Sequence, residues 1–257
     1  MRRVRFTFCG KIMRNSILPR VLLLVLAAAP SAAGESATAF ELELLKDSVI
    51  MGSCVSVFVA GNLLRLNASA PQGLSDLAGT GSRVLITEYT KAADTASDAF
   101  QYASFALPAL LAVDFSFPTV LTTGVMYAES VLLAIGIKDS LKGLLPRFRP
   151  FMYGDQPPQA LLEDSDRYFS FPSGHTTMAF TGASFLTYVF LTGYPGSKLR
   201  IPVIAGSFLL ATTTAALRVL SGQHFVTDVL AGAAIGAACG LVVPLIHRVR
   251  QMDDDPR

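Results

Sequence analysis

Apolar positions along this chain fall in long blocks, not in the alternating or one-faced patterns of a water-soluble fold. Six blocks run approximately over residues 49–64, 99–113, 119–137, 175–191, 201–217 and 229–246. At a rise of about 1.5 Å per residue, a helix over most of them is long enough, or nearly so, to cross a hydrocarbon layer of about 30 Å. The 99–113 block is the shortest and contains Pro108, which predicts a kink or an extension beyond those limits. Membrane strands would alternate in short segments, a pattern the sequence does not contain. The blocks therefore predict an all-α, polytopic transmembrane helical bundle of about six spans, occupying residues 34–250.

The links carry the polar residues. The 65–98 link mixes Asn, Gly, Pro, Ser and Thr and is long enough to cap one membrane face, whereas 142–173 is the most polar link and 193–200 is a tight turn. Ahead of the blocks, Arg2, Arg3, Arg5, Lys11, Arg14 and Arg20 form a basic lead to the apolar stretch 21–29 and the small residues Ser31, Ala32 and Ala33. Residues 1–33 thus predict a signal peptide or N-terminal anchor, and residues 251–257 a polar tail. Basic residues flanking the spans favour the cytoplasmic side for Lys198, Arg200, His247, Arg248 and Arg250. The 142–173 link and the segment 217–228 then face outward. A cleaved leader would leave the mature N-terminus outside, while six spans ending inside need it inside. Three resolutions stay open: the 49–64 block does not cross, the leader is retained, or the C-terminus is outside.

Composition agrees with a bilayer as solvent. Charged residues are 16% of the chain, against about a quarter in soluble domains, and the mean hydropathy is +0.48. The net charge of +2 and scattered basic residues exclude a nucleic-acid partner. There is no Trp, which leaves Tyr and Phe for the membrane interface. The three cysteines, Cys9, Cys54 and Cys239, form no CxxC or Cys/His ligand spacing, so no structural metal is expected.

Three polar clusters stand at block ends on one predicted face, where charge is expensive and marks function. The first contains Lys142, Arg149 and Pro150: a point charge and a bidentate fork joined by a proline-stiffened turn suit a bound dianion. Alone, it equally fits interface anchors whose side chains snorkel to headgroups. The second is Pro172, Ser173, Gly174 and His175, in which Ser173 suits a helix N-cap and Gly174 permits close backbone approach. Such a helix start binds anions, and His175 in its first turn can protonate a departing oxygen. The third holds Arg218, His224 and Asp228; if the last helix begins near His224, the latter two are an i,i+4 pair on one face. A carboxylate on one ring nitrogen leaves the other free to attack. Each cluster alone has an ordinary structural explanation. Together they supply a nucleophile, its orienter, an acid and a dianion cradle.

Lys142-x6-Arg149-Pro150, Pro172-Ser173-Gly174-His175 and Arg218-x5-His224-x3-Asp228 resemble, in order and spacing, the three-part signature of the type-2 phosphatidic acid phosphatase superfamily. Its members include membrane lipid phosphatases, bacterial acid phosphatases and vanadium haloperoxidases. One departure is Leu217, where the family often has Ser before the Arg, so a hydrogen bond near the phosphate is lost. The resemblance implies that His224 attacks phosphorus, Asp228 holds its ring and His175 protonates the leaving oxygen. It further implies that Lys142, Arg149, Arg218 and the backbone around Ser173 and Gly174 bind the phosphate, with no metal or other cofactor. The expected substrate is a membrane lipid phosphate: a polyprenyl pyrophosphate, phosphatidylglycerol phosphate, phosphatidic acid or lipid A phosphate. The expected setting is a bacterial inner membrane with the site on its periplasmic face. A broad-specificity acid phosphatase of the same fold and a non-catalytic lipid-binding membrane protein are the alternatives.

Overall fold

The computed structural model describes residues 39–71, 88–114 and 117–249; the expected leader over 1–33 and the tail over 251–257 lie outside them. Six long helices make the bundle: α1 (Leu44–Leu66), α2 (Lys91–Ala106), α3 (Phe117–Leu144), α4 (Gly174–Gly193), α5 (Arg200–Leu220) and α6 (Val226–Ile246). No strand occurs among the described residues, where only isolated bridges pair Phe40 with Arg248 and Arg147 with Phe169. Backbone bonds from Glu41 N to His247 O (3.2 Å) and from Val249 N to Ala39 O (3.1 Å) join the segment before α1 to the end of α6.

Among the described residues, four helices are long and apolar enough to cross a membrane: α1, α3 from Thr119, α5 and α6. Their outer faces expose residues such as Val55, Val59, Leu209, Leu230 and Leu241, as an integral membrane protein must toward lipid. The other two expected blocks also form helices, with limits and packing of their own. The 99–113 block is not one helix: α2 begins earlier, at Lys91, and yields to a 3-10 helix over Leu107–Asp114. Pro108 has no N–H for the α-helical ladder, which accounts for the change. The 65–98 link is correspondingly shorter, because α1 runs to Leu66 and the last residues of the link belong to α2. The 175–191 block does form α4, but its Thr176, Thr177, Thr181 and Ser184 are buried against other helices rather than lipid.

Helix α4 is the central post, packed most extensively against α6 and also against α5, α2 and α3. Its contact with α6 is backbone to backbone. A Cβ at Gly232, Gly236 or Gly240 would come within 2.7, 2.2 and 2.5 Å of the carbonyl oxygens of Ser173, Thr177 and Thr181. These glycines recur every four residues, so they form one stripe along α6, the small-residue device by which membrane helices approach closely. Helices α1 and α3 use the same device, with Gly61 against the Gly136 backbone and Gly143 against Leu64. Across the bundle, Met126, Phe185, Leu186 and Val243 fill an apolar core. The ends of α1, α3 and α5 meet the beginnings of α2, α4 and α6 at one side of the bundle. At the other, His247 Nε2 lies 3.1 Å from Asp47 Oδ1 and 3.3 Å from Glu129 Oε2, tying α1, α3 and the end of α6.

Substituting Gly236 by Leu should therefore separate α6 from α4. The expected loss is about 2 kcal/mol or more of stability, read as a lowered unfolding temperature in detergent. Gly124→Ala, where nothing lies within 4 Å of the added carbon, should be neutral or stabilising by up to about 1 kcal/mol.

Candidate active site

Two short peptide segments build one wall of the site. After α3, residues 147–149 run beside 167–170, with bonds Arg147 N to Tyr168 O (2.8 Å), Arg149 N to Arg167 O (2.9 Å) and Ser170 N to Arg147 O (2.9 Å). This ladder fixes Arg149 beside Asp166, whose backbone oxygen accepts from Arg149 Nε at 2.9 Å and whose carboxylate pairs with the guanidinium. Arg149 also donates to Gln223 O (3.1 Å) and Gln223 Oε1 (2.9 Å). Lys142, in the last turn of α3, is buried and donates to Phe169 O at 2.8 Å. Its ammonium lies 4.0 Å from Asp166.

The other wall comes from α2, α4 and α5. Arg218, in the last turn of α5, donates to Asp94 Oδ1 at 2.5 Å and to Ser97 Oγ at 3.1 Å. Ser97 thus gives Arg218 a hydroxyl neighbour, although position 217 is Leu. His175, in the first turn of α4, has Nε2 at 2.7 Å from Asp98 Oδ1. Ser173 is the N-cap of α4, its hydroxyl accepting from Thr176 N at 3.5 Å, and its own N–H donates to Asp228 O at 3.0 Å. That last bond stitches the start of α4 to the start of α6.

The α5–α6 turn positions the third cluster. Gly222 takes φ 71°, a left-handed conformation that glycine adopts without the Cβ penalty, and its carbonyl accepts from Phe151 N at 3.0 Å. Helix α6 starts at Val226 with its N-cap at Phe225, so His224 stands just before it, near the start expected from the sequence. The i,i+4 proximity of His224 and Asp228 arises from the capping turn, because the Asp228 carboxylate accepts from Phe225 N at 2.9 Å and draws the chain round. His224 Nδ1 stands 3.7 Å from Asp228 Oδ2, about 0.7 Å beyond a normal hydrogen bond. Asp228 is fully buried, and its oxygens accept from Arg147 (2.7 Å), Ser170 Oγ (2.5 Å) and Phe225 N.

A pocket of about 300 Å³ gathers most of the predicted residues. Lys142, Arg149, Gly174, His175, Arg218 and His224 line it, whereas Ser173 and Asp228 lie behind its wall as cap and support. Arg149 approaches His224 Nε2 at 3.2 Å. Since Arg is always a donor, Nε2 is the acceptor and the ring proton belongs on Nδ1, toward Asp228. Burial, reinforced by Arg149, Arg218, Lys142 and His175, holds the His224 pKa well below the ordinary histidine value. The ring is therefore neutral at physiological pH, with its lone pair at Nε2. Burial favours protonated Asp166, but Arg149, Lys142 and Arg65 outweigh it and lower the carboxyl to about 2.

Sequence reasoning missed Arg65, Asp94, Asp98, Asp166 and Gln223 in the pocket, and Arg147 on Asp228. Asp94 and Asp98 carry the one available signal, an i,i+4 acidic pair at a helix start. Asp166 and Arg65 lie in or beside links without periodicity. Arg65 reaches Asp166 at 3.0 Å and Asp139 at 3.3 Å.

Residues 123–252 match the family model described as the PAP2 superfamily. The chain is 35% identical over 111 residues to the decaprenylphosphoryl-5-phosphoribose phosphatase of Mycobacterium tuberculosis, covering 43% of this chain and 54% of that protein. It is 35% identical over 81 residues to a PA-phosphatase related-family protein of Dictyostelium discoideum, covering 29% and 30% of the two chains. The chain thus spans about half the length, or less, of these curated relatives. Among solved structures, it is similar to Aquifex aeolicus LpxE (30% identity, 60% of this chain and 86% of that one, TM-score 0.41). It is also similar to a transmembrane PAP2-type phosphatidylglycerolphosphate phosphatase of Bacillus subtilis (24% identity, 76% and 96%, TM-score 0.36).

Replacing Arg147 by Met should leave the Asp228 carboxyl group, at 0% exposure, without its arginine partner. A fully buried broken pair costs about 3–5 kcal/mol, and the partial exposure of Arg147 brings the expected loss to about 2–3 kcal/mol. Thermal unfolding in detergent should show that loss, and adding Asp228→Asn to Arg147→Met should restore part of it.

Proposed function

The chain belongs to the PAP2 superfamily, and on that premise we propose that it removes a terminal phosphate from a membrane lipid through a phospho-histidine intermediate. The observation that carries the reading is the neutral His224, whose Nε2 lies in one pocket with His175, Lys142, Arg149 and Arg218. In the first step the Nε2 lone pair forms a bond to phosphorus. The bond from phosphorus to the leaving oxygen breaks, and His175 delivers a proton to that oxygen. In the second, His175 takes a proton from water, whose oxygen attacks phosphorus while the P–N bond returns its electron pair to Nε2. Lys142, Arg149 and Arg218 hold the equatorial oxygens, whose charge must be stabilised through both transition states. Asp228 stabilises the imidazolium character that develops on His224. The positive charge comes from side chains, so the proposed chemistry routes no step through a metal.

The lipid class follows from place and from relatives. The pocket stands at helix ends of a bundle whose exterior is apolar, where a headgroup can enter while its chains stay in lipid. One relative is a decaprenylphosphoryl-5-phosphoribose phosphatase, which supports a lipid-linked phosphate as substrate. The proposed substrates are accordingly a polyprenyl phosphate or pyrophosphate, phosphatidylglycerol phosphate, phosphatidic acid or lipid A phosphate. The site is proposed on the outer face of a bacterial inner membrane, opposite the basic turn at Lys198 and Arg200.

The test is phosphate release by the detergent-solubilised protein from each of these lipids and from p-nitrophenyl phosphate, in the presence of EDTA. One lipid should be hydrolysed preferentially and without metal. His224→Ala should lower kcat by about 10³-fold or more, and Arg149→Lys should lower kcat/KM by about 10²-fold. Hydrolysis surviving in His224→Ala would remove the nucleophile from the account. A folded protein silent on every lipid would remove the enzyme.

The lowered His224 pKa also fixes a pH dependence. The reactive form is the neutral ring, so it persists as pH falls past the ordinary histidine range and is lost only below it. The acid limb of kcat/KM, corrected for the ionisation of the substrate, should lie below about pH 6.5. A limb at or above that value would contradict the assignment.

A further inference from the structure

The cations of the proposed phosphate site are shared with a carboxylate. Asp166 pairs with Arg149 and Arg65 and stands 4.0 Å from Lys142. It lies in the 3-10 turn Ser165–Tyr168, where Asp164 accepts from its backbone N–H at 2.9 Å. Its side chain is 38% exposed, while those of Arg149 and Lys142 are each 5% exposed. The carboxylate is therefore the solvent-facing side of this arrangement, and the cations are its buried side.

None of the three cations depends on that carboxylate for its position. Arg149 retains the Asp166 backbone oxygen, Gln223 O and Gln223 Oε1. Lys142 retains Phe169 O, and Arg65 retains Asp139 and its place over the Phe169 ring at 5.2 Å. A carboxylate not needed to hold the cations acts chiefly as a competitor for them. Its low pKa keeps it charged throughout the working pH range.

Competition matters here because of the solvent. A cationic pocket at the rim of a bilayer is bathed in phosphodiester headgroups, each with one negative charge on the same phosphoryl oxygens that the site binds. A terminal phosphate carries about 1.5 to 2 negative charges at neutral pH. We propose that Asp166 sets the occupancy threshold of the site: its carboxylate competes for Arg149, Lys142 and Arg65, so that phosphodiester headgroups do not occupy the site while a doubly charged terminal phosphate does. The competitor weakens every anion by a similar factor. The diester, the weaker ligand because of its single charge, then falls below occupancy at bilayer concentrations, and the terminal phosphate stays above it. This proposal rests on the proposed phosphatase function and adds to it what keeps the site clear in a membrane.

The experiment uses full-length protein in uncharged detergent at pH 8: wild type, Asp166→Asn, Asp166→Ser and Asp166→Glu. Binding of inorganic phosphate and of dimethyl phosphate is measured by titration calorimetry. Inhibition of lipid phosphate hydrolysis is measured against rising mole fractions of phosphatidylglycerol in mixed micelles. The wild type should bind phosphate at least tenfold more tightly than dimethyl phosphate and resist phosphatidylglycerol. Asn and Ser should tighten both small anions at least tenfold and become inhibited by phosphatidylglycerol at a tenth of the wild-type mole fraction, or less. Glu, which keeps the charge, should behave like wild type.

Unchanged or weakened anion binding in Asn and Ser would show that Asp166 only positions Arg149, and would overturn the proposal. So would a wild type inhibited by phosphatidylglycerol at low mole fraction, whether or not the variants fold. If the wild type hydrolyses its lipid but the variants show no tightening, the role of Asp166 as competitor alone falls. A wild type that neither binds phosphate nor hydrolyses any lipid phosphate removes both readings together.

Discussion

The site depends on how closely α6 can approach α4. With Gly232, Gly236 and Gly240 facing the backbone of α4, the two helices touch without side chains between them, and their starts lie side by side. The Ser173 N–H then reaches the Asp228 carbonyl at 3.0 Å, which brings His175 and His224 to the same pocket although 49 positions separate them in sequence (224 − 175). In a membrane, apolar burial gives helices little reason to prefer one neighbour over another, so backbone contact and polar stitching decide the arrangement. The same contact also explains why α4 carries buried Thr and Ser. Enclosed on several sides by protein, it does not need the lipid-facing apolar surface of a peripheral span.

Charge follows from that geometry. Three helix starts and the ends of three others meet at the pocket, and five basic side chains, Arg65, Lys142, Arg149, Arg167 and Arg218, line it. Such a concentration in a partly dehydrated site is tolerable only with anionic partners. Asp166, Asp94 and Asp98 supply them, on both walls. The consequence for His224 is chemical: buried, and surrounded by cations besides, its ring stays neutral and keeps the lone pair that the proposed reaction uses. The proposed cradle thus reinforces the state that burial gives the nucleophile.

Much of this was legible in the sequence because the chemistry is local. Lys142 with Arg149, Ser173 with His175, and Arg218 with His224 and Asp228 each occupy a short stretch at the end of an apolar block, where spacing alone conveys proximity. The helices were legible for the same reason, down to the disturbance at Pro108. Less legible were contacts made across long sequence separations. Asp166 meets Arg149 through the 147–149 and 167–170 ladder, and Asp94 and Asp98 meet Arg218 and His175 across more than 75 positions. No periodicity announces such pairs. The start of α6 was legible to within two residues, but not the capping turn there, in which the Asp228 carboxylate accepts from Phe225 N and brings His224 close. Arg147, two residues from Arg149, was overlooked because its partner is Asp228, 81 positions away.

The central claim is that His224 becomes covalently phosphorylated. The most direct measurement is rapid acid-free quenching of the enzyme during turnover of a lipid carrying a radiolabelled terminal phosphate, followed by peptide mapping. The account predicts an acid-labile, base-stable label confined to the peptide containing His224, formed and lost at rates compatible with turnover and absent from His224→Ala. A label on any other residue, or turnover with no protein-bound phosphate at any quench time while oxygen from water enters phosphate in a single inverting step, would contradict it.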